Sequence, residues 1–141
     1  MHYWLMKSEP ETWSWDDQVA AGETGEIWDG VRNHQAARFM RQMAAGDLAW
    51  FYHSGRQRRI MGSVEIIEPA FVDPTDPEGR FVAVRVVARE ALPVPVTLAR
   101  IKATGEFADL PLVRQPRLSV MPFSRAHWHR IRELGSSAEA G

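Results

Sequence analysis

Three apolar segments follow one another in the middle of the chain, at residues 48–52, 60–67 and 81–87. Each has the length of a strand and is rich in aromatic or β-branched residues, which favour extended backbone in a sheet. A polar stretch, 54–58, separates the first two, and a proline-containing stretch, 68–79, separates the last two. The pattern predicts three consecutive strands joined by loops, and therefore a fold built on an antiparallel sheet or barrel.

Helix signals lie on both sides of these strands. Ser14 stands three residues before Asp17, which is the spacing of a capping box, while Asn33 and Ser124 are favourable first residues for two longer helices. Together the signals predict an α+β protein. The expected elements are helices after Ser14 and at 33–43, 98–102 and 125–134, and short strands at 2–7, 26–28 and 120–122.

The length of 141 residues is typical of one domain, and 45% hydrophobic with 25% charged residues is typical of a globular protein. We expect one domain over residues 1–135 and a small polar tail over 136–141. The chain has no cysteine, which excludes disulfides, thiolate nucleophiles and Cys-ligated metal sites. No apolar run approaches the roughly 20 residues that cross a bilayer, so we expect no membrane partner and a cytoplasmic location.

Charge is unevenly distributed along the chain, although the net charge is only -1. Residues 32–59 contain six arginines and one acid, and residues 114–132 contain five arginines and no acid. Arginine's planar guanidinium suits contacts with phosphates and base edges better than the lysine ammonium does. A net charge of -1 argues against a protein that coats nucleic acid through its overall charge, but the two arginine-rich stretches are compatible with a local cationic patch.

Catalytic signatures are absent from the sequence. There is no H-E-x-x-H, no G-x-S-x-G and no glycine-rich phosphate loop. His127 and His129 lie two residues apart in a predicted helix, so they face different directions and cannot grip one metal ion. The sequence therefore predicts a protein that is not an enzyme and holds neither a metal nor another cofactor.

Trp28 differs from the other five tryptophans by its position. It ends a short extended segment, immediately before the turn Asp29-Gly30 and five residues before Asn33 at a helix start. An indole there can stand at the mouth of a pocket, where nearby amide groups read the edge of a flat heterocycle. Burial in the core is the commoner fate of tryptophan. Position alone leaves both interpretations open.

Five blocks of sequence, in order, resemble the EVE domain family: YWLMKSEPE from Tyr3, IWDGVRN from Ile27, GD at 46–47 with FYHS at 51–54, DPT at 73–75, and LVRQPRLSVM from Leu112. The resemblance extends over nearly the whole chain. It implies a PUA-like fold, in which helices flank a small, partly open β-barrel, and a relationship to YTH domains. It also implies a reader of modified bases, chiefly modified cytosine in DNA, with modified RNA as a second possibility and no reaction attached.

The same resemblance suggests a base pocket. Lys7 and Ser8 match the end of the first strand of YTH domains, Trp28 matches their first cage tryptophan, and Asp29 takes the next place. The stretch expected to carry a second cage tryptophan, 71–77, has none, and Phe71 or Pro74 is the available substitute. The other residues expected around the pocket are Asn33, Tyr52, His53, Ser54, Arg114 and Gln115, and those expected on the nucleic-acid backbone are Arg56, Arg58, Arg59 and Arg117.

Two alternatives remain open at this point. Some PUA-like relatives hydrolyse modified nucleosides, and Lys7 with Glu9 is the only pair near the expected pocket that could do such chemistry. The cleft could instead bind a small metabolite or a peptide. The oligomeric state expected for a binding domain of this size is a monomer.

Overall fold

The computed structural model describes residues 1–136, and residues 137–141 of the predicted tail lie outside the described residues. Six strands form one sheet in the order β2-β5-β4-β3-β1-β6. The strands are β1 (Tyr3–Ser8), β2 (Glu26–Trp28), β3 (Leu48–His53), β4 (Arg59–Val72), β5 (Val82–Thr97) and β6 (Val120–Phe123). The helices are α1 (Trp15–Ala20), α2 (His34–Gln42), α3 (Leu98–Thr104), α4 (Pro111–Arg114) and α5 (Arg125–Leu134), with a 3-10 turn at Gly22–Thr24.

The α+β architecture, with helices flanking the sheet, is confirmed. Within residues 1–136 the sheet is not closed into a barrel, because β2 and β6 are its two edges. All neighbouring strands are antiparallel except β1 and β3, which run parallel and pair Tyr3 with Leu48 through Ser8 with His53. A parallel pair needs a crossover, and the chain supplies one through α1, β2 and α2.

The long central strands correct two expectations about strand ends. β4 continues to Val72, so residues 68–72 of the predicted loop 68–79 are strand, and Pro69 lies where the pairing register between β4 and β5 shifts. β5 likewise continues to Thr97, well beyond the predicted strand 81–87, and Pro93 and Pro95 lie where the pairing passes from Ala91 to Val96. Proline lacks an N–H donor, so strands tolerate it at such irregularities.

Aromatic packing joins the helices to the sheet. Trp128 of α5 stacks on Trp50 of β3, with ring centroids 3.9 Å apart, and also on Tyr3 of β1 at 4.7 Å. The indole of Trp15 in α1 covers Gly62 of β4, where a Cβ atom would come within 2.5 Å of the ring. Any larger residue there would displace α1, which borders the candidate site described next.

Candidate functional site

A cleft of about 560 Å³ opens beside the end of β1. The end of β1 and the turn after it form one part of its wall, the segment from β2 to the start of α2 forms another, and Ser119 completes it. The lining comprises residues 7–9, 12–13, 26–33 and Ser119. Five of the residues predicted for the base pocket come together here, namely Lys7, Ser8, Trp28, Asp29 and Asn33.

Trp28 belongs both to the core and to the cleft lining. Its side chain is only 9% exposed, and its ring meets Phe51 edge to face, with centroids 5.4 Å apart and an interplanar angle of 83°. Such pairs contribute about 0.5–1.5 kcal/mol beyond the area that they bury. The two roles treated as alternatives at the sequence level therefore do not exclude each other.

Trp13 supplies a second indole to the lining, although only Trp28 was singled out among the tryptophans from the sequence. The backbone N–H groups of Thr12 and Trp13 both donate to the Glu9 carbonyl, so the chain turns back directly after β1. The Nε1–H of Trp13 donates to Gln18 Oε1 at 2.9 Å, which fixes one edge of the half-buried ring. The signal in the sequence was the turn-forming Ser-Glu-Pro that precedes this tryptophan.

Asp73, a residue not singled out as a site residue from the sequence, fixes the shape of the opposite wall. Its fully buried carboxylate accepts hydrogen bonds from the Gly30 N–H at 2.8 Å, from Arg32 Nη1 at 3.0 Å, and from the N–H and hydroxyl of Thr75 at 2.7 Å each. These donors outweigh the burial of the charge and lower the pKa of Asp73 to about 2. Gly30 has a φ of 77°, a conformation that favours glycine, so the wall depends on both residues.

Two of the charged groups that line the cleft, Asp29 and Lys7, have shifted pKa values. Burial, followed by the nearby carboxylates of Asp73 and Glu26, raises the pKa of Asp29 above its ordinary value. Burial lowers the pKa of Lys7, whose Nζ donates to the Pro116 carbonyl at 2.9 Å and lies 5.5 Å from the centre of the Tyr52 ring. The cleft can therefore offer both hydrogen-bond acceptors and donors to a flat polar ligand.

Other predicted pocket residues lie behind or beside the lining rather than in it. Tyr52 is buried beneath Lys7, and burial raises the pKa of its phenol to about 12. His53 Nε2 accepts from the Trp15 N–H at 2.9 Å, and its Nδ1 lies 2.7 Å from Gln57 Oε1, so the ring joins α1 to the loop after β3. The Ser54 N–H donates to the Ser8 carbonyl at 2.9 Å.

Pro74 and Arg114 also lie outside the lining. Pro74 is exposed in the turn that follows Asp73, and Phe71, the other residue considered as a substitute cage wall, pairs with Ala83 inside the sheet. Arg114 ends α4 and is exposed, with its Nη1 3.8 Å from Asp109 Oδ1. At that separation and exposure the ion pair contributes little, so the guanidinium is available for other contacts.

The arginines predicted for backbone contacts form two groups. Arg56 and Arg58 are exposed in the loop after β3, and Arg59 begins β4 with its Nε donating to Gln57 Oε1 at 3.2 Å. This loop starts at Ser54, next to Ser8 of the cleft. Arg117 lies elsewhere, with Gln115, on a second depression that adjoins the cleft at Asn33.

Across residues 1–136, no three or more histidine, aspartate or glutamate side chains come together in a way that could hold a metal ion. None of the helices described in this part of the chain is long and apolar enough to cross a membrane.

Comparison with known protein families shows which family the chain belongs to. The model of the EVE domain matches residues 2–134. The chain belongs to the EVE domain family. Thymocyte nuclear protein 1 of the mouse is 33% identical to this EVE domain, over 94% of this chain and 73% of the mouse protein.

Solved structures resemble this EVE domain closely. Protein Rpa0253 from Rhodopseudomonas palustris, solved by NMR, is 48% identical with a TM-score of 0.91, and the match covers 96% of this chain and 93% of that one. The human THYN1 protein in complex with DNA containing 5-methylcytosine is 27% identical with a TM-score of 0.89, covering 97% and 99%. The YTH domain of Mmi1, at 13% identity and a TM-score of 0.57, shares the fold, as expected.

Proposed function

We propose that this EVE domain is a non-catalytic reader of modified cytosine in DNA and receives the modified base in the cleft lined by Trp13 and Trp28. The observation that carries the proposal is the similarity over nearly the whole chain to human THYN1, which was crystallised with 5-methylcytosine DNA. The cleft supports it, because its volume of about 560 Å³ lies within the range of small-ligand sites and its lining combines two indoles with many polar and charged side chains.

The physical chemistry of the cleft explains how binding would proceed. A base in duplex DNA must leave the stack, which costs a few kcal/mol. Contact with an aromatic side chain returns about 1–3 kcal/mol per base, and enclosing one extra methyl group adds roughly 1–3 kcal/mol. We therefore expect a clear but limited preference for the methylated base, since one methyl group is all that distinguishes it from cytosine.

The polar groups of the lining suit the edge of cytosine. Its exocyclic N4 amine is a donor, for which carboxylates are the usual acceptors, and Asp29 offers one. Its ring nitrogen and carbonyl are acceptors. Lys7 uses one of its donors on Pro116, and the side-chain Oδ1 of Asn33 accepts from the Ala36 N–H, so the ammonium and the NH₂ group of Asn33 retain donors for the base.

The hydrolase alternative depends on Lys7 and Glu9, which both line the cleft. The Pro116 carbonyl holds the Lys7 amine as a hydrogen-bond donor. This arrangement suits contact with an acceptor atom better than abstraction of a proton. We propose that the ligand leaves the cleft unchanged, that the exposed arginines contact phosphates, and that the domain acts as a monomer.

A titration with matched oligonucleotides tests the proposal. DNA strands that differ only in cytosine or 5-methylcytosine at one position should bind with affinities that differ by about 5- to 150-fold, the equivalent of 1–3 kcal/mol. RNA strands of the same sequence should bind more weakly. Equal affinity for the two DNA strands, or an altered base recovered after incubation, would overturn the reader function.

Asp29→Asn should relax discrimination between 5-methylcytosine and thymine. The two bases carry the same methyl group and differ at the edge, where thymine presents an oxygen in place of the N4 amine. A carboxylate accepts from the amine and repels the oxygen, whereas an amide serves either base. We expect wild-type protein to prefer 5-methylcytosine and the variant to lose about 5- to 150-fold of that preference, measured by titration with the two strands.

The pH dependence provides a control for this assignment. The raised pKa of Asp29 means that its carboxylate becomes protonated at a higher pH than an ordinary aspartate. The preference for 5-methylcytosine over thymine should therefore fall with decreasing pH in the wild type and stay flat in Asp29→Asn. If Asp29→Asn keeps the wild-type preference for 5-methylcytosine at every pH, a group other than Asp29 accepts from the amine.

A further inference from the structure

A second depression of about 280 Å³ adjoins the cleft. It is lined by Asn33, Gln35, Gln115, Pro116, Arg117 and Leu118. Asn33 lines both cavities, and the hydrogen bond between Lys7 of the cleft and the Pro116 carbonyl joins the two linings. A chemical group attached to a ligand in the cleft would therefore lie directly at the depression.

Several polar side chains in the lining of the depression keep their hydrogen-bonding groups available, and they lie together in one place. Elsewhere, Gln18 hydrogen-bonds to Trp13 and to the Val86 carbonyl, and Gln57 contacts His53 and Arg59. The exposed Gln42 of α2 has no such partner within residues 1–136, but it lines neither cavity. Within residues 1–136, the side chains of Gln35, Gln115 and Arg117 make no hydrogen bond to other protein groups.

Two structural features position these groups. Gln35 lies in the first turn of α2, which Asn33 caps by accepting from the Ala36 N–H at 2.8 Å. Gln115 follows α4 and accepts the Leu118 N–H at 3.0 Å through its carbonyl, which closes the turn that carries Arg117. Backbone hydrogen bonds thus fix the positions while the amide and guanidinium ends stay available.

The available groups are those that read base edges. One glutamine amide can form two hydrogen bonds with the edge of adenine, and one arginine guanidinium can form two with the edge of guanine. An arginine can also contact the phosphate that links two nucleotides. Acidic residues line the main cleft, but none lines the depression. The absence of negative charge suits a nucleotide, because its phosphate is an anion.

We propose that the depression binds the nucleotide adjacent to the modified base on the same strand, with Gln115, Gln35 and Arg117 as its contacts. The inference rests on the proposed function, since it places the modified base in the cleft. It makes the protein sensitive to the sequence context of the modification as well as to the modification itself.

The test uses single strands that carry one 5-methylcytosine and an abasic nucleotide on its 5′ side, on its 3′ side, or on neither side. Wild-type protein should bind one of the two abasic strands about 5- to 150-fold more weakly than the intact strand. Gln115→Ala should bind the intact strand more weakly, and its penalty for the same abasic strand should largely disappear, because the two losses share one contact.

Gln42→Ala is the matched control, because Gln42 is an exposed glutamine of α2 that lines neither cavity. It should behave as the wild type with every strand. Arg117→Ala provides a second variant should Gln115→Ala melt at a lower temperature, and it too should show a reduced abasic penalty. Melting curves of all four proteins accompany the titrations.

The outcomes separate the two proposals. If wild-type protein prefers 5-methylcytosine to cytosine but binds both abasic strands as tightly as the intact one, the second site is wrong and the reader function stands. An undiminished abasic penalty in both Gln115→Ala and Arg117→Ala also overturns the second site. Equal wild-type binding of modified and unmodified strands overturns the reader function and this inference with it.

Discussion

Trp28→Ala should lose stability and ligand binding together. The indole is 9% exposed and packs edge to face on Phe51 in the core, so its removal leaves a cavity. Deletion of a buried tryptophan side chain costs about 3–5 kcal/mol of unfolding free energy. The same side chain lines the cleft, and loss of one aromatic contact with a base costs about 1–3 kcal/mol of binding, or about 5- to 150-fold in affinity.

The position of Trp28 changes how this experiment must be designed. From the sequence, a pocket wall predicts an almost unchanged melting temperature, and a core residue predicts a lower one. Trp28 both packs in the core and lines the cleft. Urea unfolding of Trp28→Ala therefore measures the core contribution, and binding must be measured at a temperature below the unfolding transition. Trp28→Phe keeps part of the packing on Phe51 and should recover most of the stability.

Trp13→Ala is the control that isolates the cleft. Trp13 is half-buried and lines the cleft, so its replacement should reduce affinity with a smaller loss of unfolding free energy than Trp28→Ala. If both variants are folded and bind 5-methylcytosine DNA as tightly as the wild type, the aromatic cleft is not the base site.

Local patterns predicted the apolar strands and four of the five helices described in residues 1–136, but not the short helix α4. The final helix begins and ends where expected, because Ser124 accepts from the His127 N–H and the helix carries its buried residues at regular spacing. The ends of β4 and β5 were predicted wrongly. Prolines follow both predicted strands in the sequence, but irregular pairing accommodates them within the longer strands, and pairing between distant strands cannot be recognised from local sequence.

The candidate site was predictable only where its residues are consecutive. The segment Trp28-Asp29 and the helix start at Asn33 form one wall, and the end of β1 at Lys7 and Ser8 forms another. The parallel pairing of β1 with β3, which the sequence analysis did not predict, places the loop with Arg56 beside Ser8. Side chains from three separate segments meet at the cleft, and such meetings depend on topology.

Asp73 shows why a supporting residue is harder to predict than a lining residue. The sequence Asp-Pro-Thr is typical of a turn in which the aspartate accepts from the backbone two residues later, and the Thr75 N–H does donate to Asp73. That local bond gives no sign of the contacts with Gly30 and Arg32, which lie more than 40 residues earlier. Burial of the carboxylate and the arrangement of its donors exist only in the folded chain.

Asp73→Ala should destabilise the protein by about 2–3 kcal/mol and deform the cleft. The change leaves the N–H groups of Gly30 and Thr75 without their acceptor, and because both residues are exposed, water offsets part of the loss and each donor costs about 1 kcal/mol. Arg32 keeps 41% of its side chain exposed, so water can solvate it and its share of the loss is smaller. Asp73→Asn retains an oxygen acceptor and should lose less stability than Asp73→Ala.

The pH dependence of unfolding identifies the charge of Asp73 as the source of this stability. Its pKa of about 2 in the folded protein lies below the ordinary 3.8, so the carboxylate favours folding above pH 4. A difference of nearly two units corresponds to about 2–3 kcal/mol, which is lost as the pH falls from about 4 to 2. Urea unfolding across that range should show this loss in the wild type and in Asp109→Asn, whose carboxylate is 98% exposed, but not in Asp73→Asn. An equal loss in Asp73→Asn would assign the acid sensitivity to other carboxylates and would leave Asp73 as a neutral hydrogen-bond acceptor in the wall of the cleft.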